Sequence, residues 1–403
     1  MRSSVNLISI IIFLVAVFNA YSFDQEVMNR FEQGPDSFNG WYRSHHDHSG
    51  MKADFSNAEL AGQDLRGYWL VDAIFDGAIL ENVNLHEVEL QYAEGRNTDF
   101  TGARLERTRM QDGNYNDAVF ATAAMRHVLL NRSIANSADF SGADLQESRL
   151  LLGDFTGADF ADADLRDAVA NDATFVEANF EDADLRNAYF RRAVFEDATG
   201  LQSARMEGVS FEEADMRRLD LSECEIMFAN LRYARFGRSK LEEAVLEGSQ
   251  LFGADFGRAH LNDADFSEVT ASQADFSDAE LNGADFSDAV VTRAEFVDAE
   301  LTEVRFRDAN LEKTEFEGAD LTDADFRGAY LRDVVFLDAI LDGARFRDAN
   351  MEWLYLSDVD FGTADLIGAR LRQANLARAR IASSNRDYVM SQNILNADQI
   401  VWQ

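Results

Sequence analysis

A large apolar residue recurs every five positions along most of this chain. Phe55, Leu60, Leu65, Leu70 and Phe75 open a run that holds register to Phe195, and after Gly200 the frame moves by one and continues from Leu201 to Ile381. The two runs contain 29 and 37 slots, and only Gly95, Ala135, Ala170 and Ala271 lack a large apolar side chain. Two residues before each slot the side chain is usually small, as at Ala53, Ala58, Ala138, Ala143, Ala254 and Ala284. In extended backbone, residues two apart share a face, so the slot and the small position before it point inward together. Five is odd, so strict alternation cannot pass from one unit to the next and the chain must turn in each. Gly, Asp and Asn recur two residues after the slot, at Gly62, Gly102, Gly142, Asp182, Gly283 and Asp288, where they tolerate turn conformations.

A period of five carries apolar residues around a helical cylinder instead of keeping them on one stripe, which excludes a helical solenoid. A β-solenoid meets the constraint, because identical positions stack from coil to coil and backbone groups pair between coils. The single proline, Pro35, lies outside the repeats, as a continuous ladder requires. Phe fills every second slot from Phe256 to Phe346, so with four units per coil it forms two columns that face each other. Six residues separate Phe195 from Leu201, an insertion best accommodated as a bulge at a corner beside Gly200.

The units "ADLRD" at 163–167, "ADLRN" at 183–187, "ADFSD" at 274–278 and "ANLEK" at 309–313 resemble the pentapeptide-repeat family over residues 51–382. The resemblance implies an all-β fold, a right-handed quadrilateral β-helix with four units per coil and short terminal caps. The 66 slots then make about 16 coils, and the ~4.8 Å strand spacing gives a rod roughly 80 Å long.

A solenoid exposes an apolar cross-section at each end and needs caps. Residues 23–50 break the period and read as an N-terminal helix and loop, and residues 383–403 read as a C-terminal cap or dimer contact with Tyr388, Val389, Ile394, Leu395, Ile400 and Trp402. Ahead of them, Met1 and Arg2, an apolar run from Leu7 to Phe18 and the ending Ala20-Tyr21-Ser22 read as a secretory signal peptide, residues 1–22. Export to the periplasm or outside the cell follows, with no membrane attachment beyond that leader.

Charge narrows the partners. The formal net charge is −36, from 73 acids and 37 bases, which argues against nucleic acid and anionic membranes. The lone Cys224 falls in a small-residue position and is expected in the core, neither bridged nor nucleophilic. Neither a glycine-rich phosphate loop nor a serine-hydrolase elbow occurs, and no catalytic residue or cofactor is expected. His45, His46, Asp47 and His48 form the densest metal-capable set, in a cap loop that could suit zinc, copper or nickel. Residues 259–292 carry Asp263, Asp265, Glu268, Asp275, Asp278, Glu280, Asp285 and Asp288 without Lys or Arg. Conversely, residues 366–386 carry Arg370, Arg372, Arg378, Arg380 and Arg386 without an acid, near Tyr330, Trp353 and Tyr355. Arg beside exposed aromatics suits an interface core, so a protein partner of unknown identity or a homodimer is expected at this end. The leading expectation is an exported, non-enzymatic scaffold for protein interaction. The alternatives are an acidic mimic of DNA that binds an enzyme such as gyrase, and metal binding at the histidines.

Overall fold

The computed structural model describes residues 25–403, so the expected leader lies outside the described residues. Two compact units make up the chain, one ending at Asp164 and the other spanning Leu165–Gln403. Both are built from one element repeated, a single-residue parallel bridge followed by a two-residue turn. In the first unit Asp54 pairs with Ile74 and Glu59 with Ile79, and in the second Asp265 pairs with Asp285 and Thr270 with Val290. Away from Gly200 these pairs are twenty residues apart, four pentapeptides, which makes each unit a β-solenoid whose equivalent positions stack in columns.

The hydrogen bonds explain why the phrase has five residues. The amide of Phe55 donates to Ile74 O at 2.7 Å, that of Ile74 to Ala53 O at 2.9 Å and that of Asn57 to Asp76 O at 2.9 Å. Of the two remaining amides, Ser56 N donates to Asp54 Oδ1 at 2.9 Å and Ala58 N closes a turn on Phe55 O at 3.0 Å. Within that turn the residue two after the slot takes positive φ, 57° at Asn57 and 63° at Trp353 alike. Glycine is required at this corner only where the neighbouring coil crowds it: a Cβ on Gly283 would lie 2.3 Å from Asp263 Oδ1.

Large slot residues and the small residues before them are buried together. In the second unit Phe256 stacks on Phe276 at 5.0 Å and Phe266 on Phe286 at 4.7 Å, while Phe256 meets Phe266 edge-on at 5.8 Å and 89°. The two expected phenylalanine columns therefore touch across the interior. Offset stacks and edge-to-face pairs of this kind add ~0.5–1.5 kcal/mol each beyond burial.

Helices α1 (Gln25–Phe31) and α2 (Pro35–Ser49) cover the first coil. Phe31 and Phe38 pack on Phe55 at 5.0 and 6.3 Å. Asn39 replaces a missing strand: its Nδ2 donates to Gly67 O at 2.7 Å and its Oδ1 accepts from Trp69 N at 2.8 Å. At the other end β1 (Arg380–Ile381) pairs in parallel with β2 (Val401–Trp402), and α3 (Arg386–Ser391) lies between them. Asn385 repeats the device, donating to Ala364 O at 2.8 Å and accepting from Leu366 N at 3.0 Å.

At Gly200 the extra residue is absorbed locally. Asp184, Tyr189 and Val194 pair with Arg205, Ser210 and Asp215, twenty-one residues on, and the spacing of twenty returns at Ser210 and Asn230. Gly200 has φ 77°, and a Cβ there would stand 2.2 Å from Glu181 N, so only glycine fits.

Within the second unit the ladder lapses at two places among the described residues. Thr199 and Arg205 make no bridge to Asp220 and Glu225, and Val335 and Ile340 make none to Tyr355 and Asp360. Each gap precedes a coil that carries Leu in the small position, Leu219 and Leu354, both buried. No other repeat places Leu there. The small position one coil earlier is Ala198 at the first gap, since Thr199 is itself a bridge residue, and Val334 at the second. Overpacking at such a position typically costs ~1–3 kcal/mol. The first gap also follows the insertion at Gly200.

Candidate interaction surfaces

The carboxylates one residue before each slot are part of the fold. Asp139 Oδ1 accepts from Ser141 N at 2.8 Å, Asp265 from Ser267 N at 2.8 Å and Asp275 from Ser277 N at 2.9 Å. Where Asp or Asn occupies this position, the Asx bond holds the entry to the corner, and its reach suits these short side chains. The preference for Asp or Asn over Glu at this position is the sequence signal for this bond.

The base-free stretch 259–292 is base-free only along the chain, because the coils before and after it supply cations. Asp285 meets Arg305 at 2.8 Å and Asp278 meets Arg258 at 3.2 Å, while Glu280 contacts His260, inside the stretch itself, at 2.9 Å. Burial pushes the Asp285 carboxyl up, but hydrogen bonds from Ser287 and Arg305 leave it below its usual value. Asp275 instead joins Asp255, Glu295 and Glu315 in one column of successive bridges. Desolvation, with Asp275 and Glu315 on either side, raises the Glu295 carboxyl. Asp263, Glu268 and Asp288 sit at positive-φ corners. The eight acids thus divide among several columns and do not form one belt.

The arginine-rich end is corrected in the same way. Arg378 Nε reaches Asp358 at 2.6 Å, Arg380 reaches Asp360 at 3.3 Å and Arg372 approaches Glu352 at 3.6 Å, each acid one coil back. Arg386 lies over the Trp402 ring at 5.5 Å. Stacking at a separation of twenty thus pairs Arg372, Arg378 and Arg380 with acids outside the window that reads as basic.

The histidines lie in the last turns of α2, not in a loop. Successive residues on a helix diverge by about 100°, and the three histidines follow separate partners. His45 Nδ1 contacts Trp41 O at 2.8 Å, His48 Nδ1 contacts Ser44 O at 2.7 Å, and His46 Nε2 contacts Asp72 Oδ2 at 2.8 Å, tying the cap to the coil. Among the described residues no three His, Cys, Asp or Glu side chains are grouped to hold a metal ion. Cys224 is buried, and burial pushes its thiol up to about 12.

The aromatics separate into two surfaces. Val335, Leu337 and Tyr355 lie exposed in neighbouring coils beside the second gap, and Leu395 follows in the same column. Around the corner, Tyr330, Arg332, Asp333, Asn350, Glu352 and Trp353 line a cavity of about 480 Å³. Trp353 is 64% exposed, with the Arg372 guanidinium 5.8 Å from its ring.

Comparison with known proteins places these repeats. A family model described as pentapeptide repeats (8 copies) matches residues 53–91, 78–114, 154–192, 299–337, 319–353 and 355–385. A pentapeptide repeat region model matches 239–316, and a nine-copy model matches 180–225. Among solved structures the chain is similar to HetL of the cyanobacterium Nostoc sp. strain PCC 7120, a pentapeptide repeat protein involved in heterocyst differentiation regulation. Identity is 27% over 57% of this chain and 89% of HetL, with a TM-score of 0.35. It is similar to QnrB1, a plasmid-mediated fluoroquinolone resistance protein, at 19% over 49% of this chain and 89% of that one, with a TM-score of 0.21. Rfr23 from the cyanobacterium Cyanothece 51142 is 18% identical over 36% of this chain and 88% of its own, with a TM-score of 0.11. The chain matches none of the curated proteins.

Proposed function

The chain belongs to the pentapeptide-repeat family, and we propose that it is an exported, non-enzymatic scaffold that works by protein interaction. Membership also implies right-handed coiling on a four-sided section with about 16 coils, and the register of twenty residues is consistent with it. The observation that carries the interaction reading is the apolar surface of Val335, Leu337 and Tyr355, the last 73% exposed. Contiguous exposed apolar side chains in adjacent coils are a feature of association surfaces. A second copy of the chain is the partner proposed, and sedimentation velocity tests it. The purified protein is expected to sediment as a dimer at high concentration and a Leu337→Asp/Tyr355→Asp variant as a monomer. A monomeric wild type removes the homodimer.

A second reading, an acidic mimic of nucleic acid, draws on the column Asp255, Asp275, Glu295 and Glu315. It requires the protein to remain in the cytosol, so the two readings separate on localisation.

A further inference from the structure

We infer that the cavity at the corner where the second gap begins is a binding groove for a neutral saccharide, with Trp353 as its stacking platform. This goes beyond the scaffold reading and does not depend on dimer formation.

Four observations converge on the groove. First, it lies where the ladder lapses: the coil from Asp333 to Ile340 and the coil from Trp353 to Asp360 are joined by no bridge on two successive sides. The amides of Asp333, Phe336 and Tyr355 have no backbone acceptor, unlike their counterparts Lys313, Phe316 and Val335 one coil earlier. Backbone groups released from a ladder bond water or a ligand. Second, the cavity of about 480 Å³, between the intact bridge of Tyr330 with Asn350 and the corner at Asp333 where the gap begins, has the volume to seat one or two sugar rings.

Third, the lining mixes donors and acceptors. Asn350 Oδ1 is held by Glu352 N at 3.1 Å, which aims the amide and leaves Nδ2 as a donor. Arg332 donates, Asp333 and Glu352 accept, and Tyr330 can do either. Fourth, the charges cancel. Arg332 lies 3.6 Å from Asp333, and Arg372, stacked on Trp353, lies 3.6 Å from Glu352.

These features select the ligand class. An anion would meet two carboxylates and a cation two guanidinium groups, at separations where like charges repel. An apolar ligand would strand the amide, the carboxylates and the released backbone groups, each costly to leave unpaired. A neutral sugar offers hydroxyls that donate and accept in every direction, and its axial C–H face rests on an indole.

Affinity electrophoresis tests the assignment, using native gels cast with dextran, galactomannan, mixed-linkage β-glucan or, as an anionic control, polygalacturonate. At least one neutral polymer is expected to retard the wild type, and polygalacturonate is not. Trp353→Asn, which removes the ring while suiting a positive-φ corner, is expected to weaken retardation at least tenfold. Leu354→Ala keeps every lining residue but lets the ladder close, and is expected to weaken it comparably. Tyr92→Ala, an exposed aromatic in the first unit, leaves it unchanged and controls for general stickiness. Absence of retardation in all three neutral gels, equal retardation by polygalacturonate, or unaltered retardation of Trp353→Asn would each overturn the proposal.

Discussion

Asp325 shows how one side chain can be part of both the corner and the surface. Its carboxylate is 1% exposed, accepts Arg327 N at 3.2 Å and lies 2.6 and 2.7 Å from Arg327 and Arg307. Burial alone would raise its pKa, but the two arginines outweigh it and hold the group well below the usual carboxylate range. A carboxyl depressed in the folded state contributes stability fully above its unfolded value, ~3.9, and loses it as pH falls through the folded value. Urea unfolding at neutral pH should therefore find Asp325→Asn less stable than wild type, and the difference should shrink as the pH falls below about 4. A difference that does not change down to pH 2 would show that the arginines do not act through charge. Position 139 isolates the corner bond. Asp139→Asn keeps an acceptor for Ser141 N and should be nearly neutral, whereas Asp139→Ala should cost about 1 kcal/mol in the same measurement. Gly283→Ala should cost more than ~1 kcal/mol, because it combines φ 74° with a Cβ 2.3 Å from Asp263.

At the level of the element, both gaps in the ladder coincide with Leu in the small position, which makes that position testable. Replacing Ala284 by Leu should reproduce the gap seen at Leu354 inside an intact stretch. The amide of Asp285, which donates to Ala264 O at 3.0 Å, should lose hydrogen-exchange protection at least tenfold while Asp325 N keeps its own. Unchanged protection at Asp285 would show that the coil tolerates the larger side chain. The five-residue period alone was enough to place Phe256, Leu281 and their equivalents in the core, because burial follows directly from apolar periodicity. Charge was not legible in the same way. Arg378 and Asp358, or Asp285 and Arg305, are twenty residues apart in sequence and in contact in space, so a contiguous window misreports their surroundings. The histidines were misplaced for a simpler reason: the helix from Pro35 has a Gly34 N-cap with no side-chain cap bond, and so lacks the usual Ser, Thr or Asp starting signal. The groove at Trp353 was half visible, as aromatics without the gap that makes them concave.

For the molecule as a whole, the ends and the destination carry the account. Asn39 and Asn385 each satisfy backbone groups that the terminal coil would otherwise present to solvent. Uncapped strand edges template association. An Asn39→Leu/Phe38→Asp variant should therefore form light-scattering aggregates at temperatures where wild type stays clear, and a clear solution would show that the first coil needs no cover. The central claim is that this acidic solenoid acts outside the cytosol as a scaffold. It is tested most directly by N-terminal sequencing of the protein purified from fractions of its own cells. The account requires a mature chain beginning at Phe23 in a non-cytosolic fraction; intact Met1 in the cytosol would contradict it and favour the nucleic-acid mimic.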